Sequence, residues 1–233
     1  MFGWIIPPPK PSVKTKENFN HERRKKIASL KRRGFLKSKV IEEAILKIPR
    51  ELFVPFQYRD HTYEELPFPL PGRKATISCP HSYPMFYEAI GLSPGDRFLE
   101  VGTGSGYGAV LAAEIVRPNG LVTSIEIDHE TYLYAKKRVS QFKYLNLFLI
   151  EGDGGKGYLQ NAPYDKICLT AACIQIPPPL IYQLKEGGKL ITPCEVPGRG
   201  QDLILLEKGV GGKITKKSIE KVLYVPLQGE YSK

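Results

Sequence analysis

A glycine-rich segment is the clearest candidate for chemistry in this 233-residue chain. The segment Glu100-Val-Gly-Thr-Gly-Ser-Gly106 lies between a predicted strand over 97–101 and a predicted helix over 106–116. Glycines in such a turn let the backbone approach a ligand closely, and the start of the helix offers free N–H groups. The pattern therefore predicts a nucleotide-like ligand. The candidate contacts in this segment are Glu100, Gly102, Thr103, Gly104 and Gly106.

Acidic residues follow at the ends of the next two predicted strands. Glu126, with Ile127 beside it, ends the first of these and comes 24 residues after Gly102. A carboxylate at that position is placed to accept the hydroxyls of a ribose. Asp153 and Gly154 follow the next strand, and the Asp153 carboxylate could accept a hydrogen bond from an adenine amino group. Because ligands of open α/β sheets bind at the carboxyl ends of the strands, we expect these residues to share one site.

The spacing of the glycines distinguishes between two cofactors. A dinucleotide-binding turn usually has the pattern G-x-G-x-x-G, whereas the third glycine here comes one residue earlier. Glu100 lies directly before the turn, where it could organise the turn or meet the cationic end of a methionine moiety. Together with the acid after the third strand, this pattern favours S-adenosyl-L-methionine over NAD, with S-adenosyl-L-homocysteine as the product.

The elements around these residues alternate between strands and helices, which predicts right-handed βαβ units. We expect an α/β fold: a doubly wound, seven-stranded, mostly parallel sheet of Rossmann-like type, with helices on both faces and an N-terminal helical extension. A turn over 209–213 separates the last two strands, which should pair antiparallel at one edge. The predicted strands cover 97–101, 121–127, 145–151, 166–170, 189–192, 203–207 and 222–225. The predicted helices cover 20–30, 38–48, 82–90, 106–116, 129–142 and 178–184.

Positive charge is concentrated near the start of the chain. Residues 1–40 contain 12 Lys and Arg against two Glu, whereas the rest of the chain has 22 residues of each sign. The densest part, over 21–33, could bind the phosphates of a nucleic acid, although such runs are more often solvated helix faces. We divide the chain into a basic, Pro-rich leader (1–20), N-terminal helices with an active-site loop (21–80) and an α/β core (81–233). The last two are expected to form one compact domain.

The cysteine and hydropathy patterns exclude several classes of protein. The four cysteines show no C-x-x-C spacing and no nearby histidine cluster, which predicts no metal site and reduced, mostly buried thiols. No stretch approaches the roughly 18 apolar residues of a membrane helix, and the first residues lack the positive region of a signal peptide. We therefore expect a cytoplasmic protein that is monomeric and has no membrane partner.

Several further segments point beyond a general nucleotide site. They cover 48–55, 76–81, 99–107, 152–154, 162–167, 170–172, 176–178, 183–188 and 222–227. Over about 36–228 the chain resembles the protein-L-isoaspartate O-methyltransferase family, and Thr76-Ile-Ser-Cys-Pro-His81 is the family-specific part. The resemblance implies a class I methyltransferase that methylates the α-carboxyl of L-isoaspartyl residues in damaged proteins. The ester then closes to a succinimide, which reopens partly to normal aspartate.

The resemblance also implies roles for individual residues. The active-site serine of the family matches Ser78, which would donate a positioning hydrogen bond and would not act as a nucleophile. Thr76, Ile77 and Tyr83 match positions that contact cofactor or substrate, and Gln228 matches a C-terminal contact position. We therefore include these five residues, Ser78 among them, in the predicted cofactor site.

Two other functions stay open at this point. The chain departs from the family at Gly72-Arg-Lys-Ala75, where glycine and glutamine usually precede the Thr-Ile-Ser piece, and at Cys79, which replaces a small residue. A changed acceptor loop is compatible with a cofactor-binding adaptor that transfers nothing. The basic segment over 21–33 is compatible with an RNA methyltransferase. His81 is expected either to line the pocket or to serve structurally at a helix start.

Overall fold

The computed structural model describes residues 5–72 and 75–232, and its centre is a seven-stranded sheet. The strands are β1 (Phe68–Pro69), β2 (Thr76–Ile77), β3 (Arg97–Val101), β4 (Leu121–Glu126), β5 (Leu147–Glu151), β6 (Tyr164–Leu169), β7 (Leu184–Val196), β8 (Gly200–Lys208) and β9 (Ile214–Val222). The α-helices are α1 (Lys16–Arg32), α2 (Lys39–Lys47), α3 (Ser82–Ile90), α4 (Tyr107–Ile115), α5 (His129–Val139) and α6 (Pro178–Gln183). β1 and β2 pair with each other, apart from the large sheet.

The order of the large sheet is β5-β4-β3-β6-β7-β8-β9. The pairs from β5 to β7 are parallel, and β8 and β9 are antiparallel to their neighbours, which confirms the predicted sheet. Successive side chains of β3 point to opposite faces of the sheet. Phe98 therefore packs in the apolar cluster on one face, and Leu99 packs in the cluster on the other. The chain runs outward from β3 to β5 and resumes on the other side of β3 at β6. Ligands of such sheets bind where the strand order reverses in this way.

The last strand differs from the sequence prediction. β9 covers Ile214–Val222, whereas the pattern had suggested 222–225, so the antiparallel edge is confirmed but the position of its outer strand is wrong. The reason is that β9 is almost wholly exposed and rich in lysine, so it lacks the apolar alternation by which strands are recognised. Residues 223–227 return to the carboxyl edge of the sheet. There Ala172 donates its N–H to Val225 O at 2.8 Å, and Leu227 N–H donates to Ala172 O at 2.7 Å.

The N-terminal helix is longer than predicted. α1 begins at Lys16, four residues before the predicted start, because Thr15 and Asn18 form a reciprocal capping box. Its buried residues Phe19, Arg23, Ile27 and Leu30 recur at helical spacing and turn one face inward. α2 lies within the predicted range 38–48. Among the described helices, none combines the length and the hydrophobicity needed to cross a membrane.

Candidate active site

A cavity of about 700 Å³ opens at the carboxyl edge of the sheet. This volume is within the range of small-molecule sites. The cavity is lined by the ends of β3, β4 and β6, by the segment after β2 and by residues 220–228. Most residues that the sequence singled out meet here. The predicted residues that line the cavity are Thr76, Ser78, Tyr83, Glu100, Gly102, Thr103, Gly104, Glu126, Ile127, Gly154 and Gln228.

The glycine turn after β3 is built so that only glycine fits at one position. Gly102 has φ +92°, which L-residues with a side chain rarely adopt, and its N–H donates to Ile125 O at 2.9 Å. The Thr170 hydroxyl donates to Gly102 O at 2.7 Å. A Cβ on Gly102 would lie 2.4 Å from that hydroxyl oxygen, so the backbone here is close against β6. This glycine turn, which we call the cradle, therefore exposes main-chain atoms without side chains to a ligand, as a nucleoside-type cofactor requires.

Glu126 fixes the same turn from the end of β4. Its Oε2 accepts a hydrogen bond from Gly104 N–H at 2.9 Å, and Oε1 accepts from Ile127 and Asp128 N–H at 3.0 and 3.1 Å. Burial raises the pKa of this carboxyl, although the three backbone N–H groups oppose the shift. A carboxylate has about four acceptor sites, and backbone N–H groups occupy three of them here. Glu126 can therefore hold the turn and still accept one hydroxyl from a ligand in the cavity.

Glu100 is 2 % exposed and lies beneath the turn. Its Oε2 accepts a hydrogen bond from the Ser124 hydroxyl at 2.7 Å, and that hydroxyl lies 2.7 Å from Thr103 Oγ1. Burial raises the pKa of the Glu100 carboxyl to about 8. Glu100 is therefore largely protonated at neutral pH, and it is linked through Ser124 to the turn, which fits the first of the two roles that the sequence suggested.

The raised pKa predicts a pH-dependent stability that Glu100→Gln should remove. Between its usual value of 4.5 and about 8, the carboxyl is protonated in the folded state but ionised in the unfolded state. The folded state then binds more protons, so the free energy of unfolding falls as pH rises through this window. The effect is on the order of 1.4 kcal/mol for each unit of pKa difference. Urea unfolding at pH 5, 6.5 and 8 should show a shallower decline in the variant than in the wild type.

A matched control for this measurement is Glu130→Gln, at an exposed position in the first turn of α5. This control should follow the wild-type profile. Parallel profiles for Glu100→Gln and the wild type would contradict the inference that Glu100 is protonated in the folded protein.

Another side of the cavity is formed by the chain after β2, which carries Ser78. Ser78 is half-buried, and its hydroxyl makes no hydrogen bond with the part of the chain that the structure describes. Its backbone carbonyl, in contrast, accepts a hydrogen bond from Arg50 Nη2 at 2.6 Å. The serine is thus held by its main chain while its hydroxyl stays available to a ligand.

Arg50 was not singled out by the sequence reasoning, although it lies in the family-like segment 48–55. It is 1 % exposed, and its Nε donates to Thr62 O at 2.9 Å. The guanidinium lies 5.6 Å from the centre of the Tyr83 ring and 5.4 Å from that of Tyr107. The signal in the sequence was an arginine among apolar residues, but nothing local showed that it reaches Ser78.

Three predicted residues do not line the cavity. Ile77 is 1 % exposed and belongs to the apolar core, and Gly106 starts α4, where an added Cβ would lie 2.7 Å from Val139 Cγ2. The Asp153 carboxylate accepts hydrogen bonds from the N–H of Gly155 at 2.9 Å and of Glu230 at 2.8 Å. The Asp153 carboxylate therefore caps its own turn and binds the backbone of the C-terminal segment. Its contact with adenine stays a prediction. Arg73 and Lys74 of the altered loop lie outside the described residues.

His81 lines the cavity and also has a structural partner. Its Nδ1 lies 2.6 Å from Glu65 Oε2, and Lys26 Nζ lies 3.0 Å from Glu65 Oε1. Burial would raise the pKa of Glu65, but hydrogen bonds from His81 and Lys26 lower it to about 2. Ligand atoms of Glu65, Cys79 and His81 lie within 4.8 Å of one another, a spacing that a metal ion could use. The absence of a metal site stays a prediction.

The doubly wound sheet, the glycine turn after β3 and the carboxylate at the end of β4 define a Rossmann-like, class I methyltransferase. The family model described as protein-L-isoaspartate(D-aspartate) O-methyltransferase matches residues 21–232, and the chain belongs to this family. The resemblance stated from the sequence is thereby confirmed.

Named relatives agree with this assignment over nearly their whole length. A protein-L-isoaspartate O-methyltransferase 2 of Archaeoglobus fulgidus is 44% identical over 210 residues, which is 90% of this chain and 94% of the relative. A protein-L-isoaspartate O-methyltransferase of Hyperthermus butylicus is 41% identical over 230 residues, covering 95% of this chain and 94% of the relative.

Two solved structures share the fold. One is described as a protein-L-isoaspartate O-methyltransferase and has a TM-score of 0.82 and 31% sequence identity. The match covers 90% of this chain and 67% of the chain in that structure. The other, from Plasmodium falciparum, was solved in complex with S-adenosyl-L-homocysteine. It has a TM-score of 0.78 and 24% sequence identity, and the match covers 88% of this chain and 98% of the chain in that structure.

Proposed function

We propose that this protein transfers a methyl group from S-adenosyl-L-methionine to the α-carboxyl of L-isoaspartyl residues in damaged proteins. The observation that carries the proposal is one continuous cavity that joins the glycine turn after β3 to the free hydroxyl of Ser78. Family membership over residues 21–232 supports the same activity. The resulting ester closes to a succinimide, which reopens partly to normal aspartate, so the reaction starts a repair.

The residues at the carboxyl edge suit this cofactor. When bound, S-adenosyl-L-methionine supplies a methyl group activated by a sulfonium. Gly102 and Gly104 leave the backbone open for close approach, and the remaining acceptor site of Glu126, on Oε2, can receive a ribose hydroxyl. Glu100 is held by Ser124 beneath the turn, and its buried, largely neutral carboxyl keeps the floor of the cavity in shape.

The acceptor group needs positioning more than activation. A carboxylate is ionised at neutral pH, so the protein does not have to remove a proton before transfer. Ser78 can donate one hydrogen bond to that carboxylate and hold an oxygen toward the cofactor side of the cavity. Positioning of this kind can contribute about 7–11 kcal/mol when a near-attack geometry is enforced.

The role of Ser78 predicts the behaviour of Ser78→Ala. We expect kcat/KM for an isoaspartyl peptide to fall by roughly 10–100-fold, since one hydrogen bond to a charged group contributes about 1.5–3 kcal/mol. The affinity for S-adenosyl-L-methionine should change much less, as titration calorimetry would show. The control Ser140→Ala removes an exposed hydroxyl at the end of α5 and should match the wild type. Unchanged methylation by Ser78→Ala would remove the proposed role.

The substrate class is tested by offering three acceptors side by side: an isoaspartyl peptide, the same peptide with normal aspartate, and tRNA. Transfer of labelled methyl to the isoaspartyl peptide alone is expected. Transfer to tRNA instead would favour the RNA methyltransferase alternative. Cofactor binding without transfer to any acceptor would favour the adaptor alternative.

The contacts of the basic segment explain part of its positive charge without a nucleic acid. Within 21–33, several cations form ion pairs with glutamates of the same chain, and the pairing distances run from 2.7 to 3.5 Å. The cations paired in this way are Arg23, Lys26, Lys31 and Arg33. Their charge supports the fold of the N-terminal helices and is partly neutralised there. The monomeric state and the cytoplasmic location stay predictions.

A further inference from the structure

Two cysteines lie side by side away from the proposed methyl-transfer chemistry. Cys173 follows β6 in the loop that leads to α6, and Cys194 lies in β7. Their sulfur atoms are 3.4 Å apart, which is slightly less than the van der Waals contact distance of two sulfurs. Cys173 is 1 % exposed and Cys194 is 9 % exposed, so the pair lies just beneath the surface.

The backbone at this pair already has the spacing that a disulfide requires. Cys173 and Cys194 are partners in a parallel β-bridge, in which Cys173 N–H donates to Pro193 O at 3.0 Å and Glu195 N–H donates to Cys173 O at 2.9 Å. Neighbouring strands lie about 4.8 Å apart, and disulfides join residues whose Cα atoms are about 4.4–6.8 Å apart. Bringing the sulfurs to bonding distance therefore needs side-chain rotation and no large movement of the backbone.

The surroundings also favour the thiolate of Cys173 over that of Cys194, whose pKa the hydrogen bond with Cys173 raises. Hydrogen bonding with the Cys194 thiol and with Thr192 Oγ1, which lies 3.5 Å from the Cys173 sulfur, lowers the pKa of Cys173. The pKa values of Cys79 and Cys168 are raised instead, chiefly by burial. Because the thiolate is the nucleophile in disulfide exchange, Cys173 is the better placed of these thiols to begin the reaction.

We propose that Cys173 and Cys194 form a reversible intramolecular disulfide. The Cys173 thiolate attacks one sulfur of a low-molecular-weight disulfide, and the first thiolate of that reagent leaves. The deprotonated Cys194 sulfur then attacks the Cys173 sulfur of the mixed disulfide, and the second reagent thiolate leaves. The two protein thiols are oxidised, the reagent is reduced to two thiols, and the two cysteine protons end on the leaving sulfurs.

The disulfide would join the loop after β6 to strand β7. This loop contacts two segments that line the cavity. The loop that carries Cys173 begins with Thr170, whose hydroxyl holds Gly102 O, and includes Ala172, which pairs with the returning segment 225–227. Joining this loop to β7 restricts the unfolded chain, because the two cysteines are 21 residues apart in sequence. We expect the oxidised protein to have a Tm roughly 5–10 °C above that of the reduced protein.

The test is thiol labelling of the full chain. The protein is incubated with mixtures of reduced and oxidised glutathione until its state is constant, quenched with acid, denatured and treated with N-ethylmaleimide. Intact mass should show four labelled cysteines after full reduction and two in the oxidising mixtures. Proteolysis without reduction should yield one linked pair of peptides, which contain Cys173 and Cys194.

Variants separate this pair from the other thiols. Cys173→Ser and Cys194→Ser should each lose the linked peptides and the rise in Tm, whereas the control Cys79→Ser/Cys168→Ser should keep both. Four labelled cysteines at every glutathione ratio, a stable glutathione adduct on one of the pair, or a bond between two other cysteines would overturn the proposal. The wild-type labelling decides between these outcomes even if a variant fails to fold.

Discussion

Replacing Gly102 by alanine should lower the affinity for S-adenosyl-L-methionine by at least about 100-fold. The φ of +92° costs a residue with a side chain roughly 1–3 kcal/mol. The new Cβ would also lie 2.4 Å from Thr170 Oγ1, so the turn must move away from β6. Because Gly104 N–H of this turn donates a hydrogen bond to Glu126, movement of the turn displaces the groups that we propose to face the ribose. Titration calorimetry with the cofactor measures the loss directly.

Two variants separate the clash from the backbone strain. Gly34→Ala places alanine at φ +77° with no atom within 4 Å of the new Cβ, at an exposed position away from the cavity, so it should bind the cofactor normally. In Gly102→Ala/Thr170→Ala the clashing hydroxyl is gone, and the nearest remaining Thr170 atom was 3.7 Å away. The double variant should recover part of the affinity. If Gly102→Ala bound the cofactor as tightly as Gly34→Ala, the proposed cradle would be wrong.

Arg50→Lys should lower kcat for an isoaspartyl peptide by roughly 10–100-fold with little change in cofactor affinity. The guanidinium bonds two carbonyl oxygens at once, Thr62 O and Ser78 O, and a single ammonium cannot hold both in the same geometry. Each hydrogen bond from a charged donor contributes about 1.5–3 kcal/mol. Loss of the bond to Ser78 should let the serine move, so the effect should appear in kcat and much less in cofactor binding.

The control for this prediction is Arg23→Lys. Arg23 is also buried and donates hydrogen bonds to Tyr63 and Glu51, at 2.8 and 2.7 Å, but not to Ser78. We expect it to lower the free energy of unfolding while kcat of the folded protein stays near the wild-type value. If both variants lowered stability alike and left kcat unchanged, Arg50 would be a structural residue only. Arg50→Met, which leaves both carbonyls without this donor, should lower the free energy of unfolding by about 2–6 kcal/mol, since each buried acceptor left unpaired costs about 1–3 kcal/mol.

The sequence alone was enough to predict which strand ends line most of the cavity floor. Glu100, the glycine turn and Glu126 were expected to share one site because a strand, a tight turn and a helix are local structures with recognisable residue patterns, and they line one cavity. Their contacts with the cofactor stay predictions. The alternation of strands and helices also predicted a seven-stranded, mostly parallel sheet, since few topologies satisfy the handedness of βαβ units. Residues of the family-specific segment 76–81 also line this cavity, and their role toward the acceptor stays a prediction.

Other features were decided only by tertiary structure, because they join residues far apart in the chain. The charged edge strand β9 is stabilised by pairing with β8, which no local pattern reveals. Asp153 turns toward Glu230, and Arg50 reaches Ser78 across 28 positions. The meeting of Cys173 and Cys194 depends on where β7 lies beside the loop after β6. Hydrogen bonds between distant segments depend on how the sheet places its neighbours, and residue types along one stretch of chain carry no record of that placement.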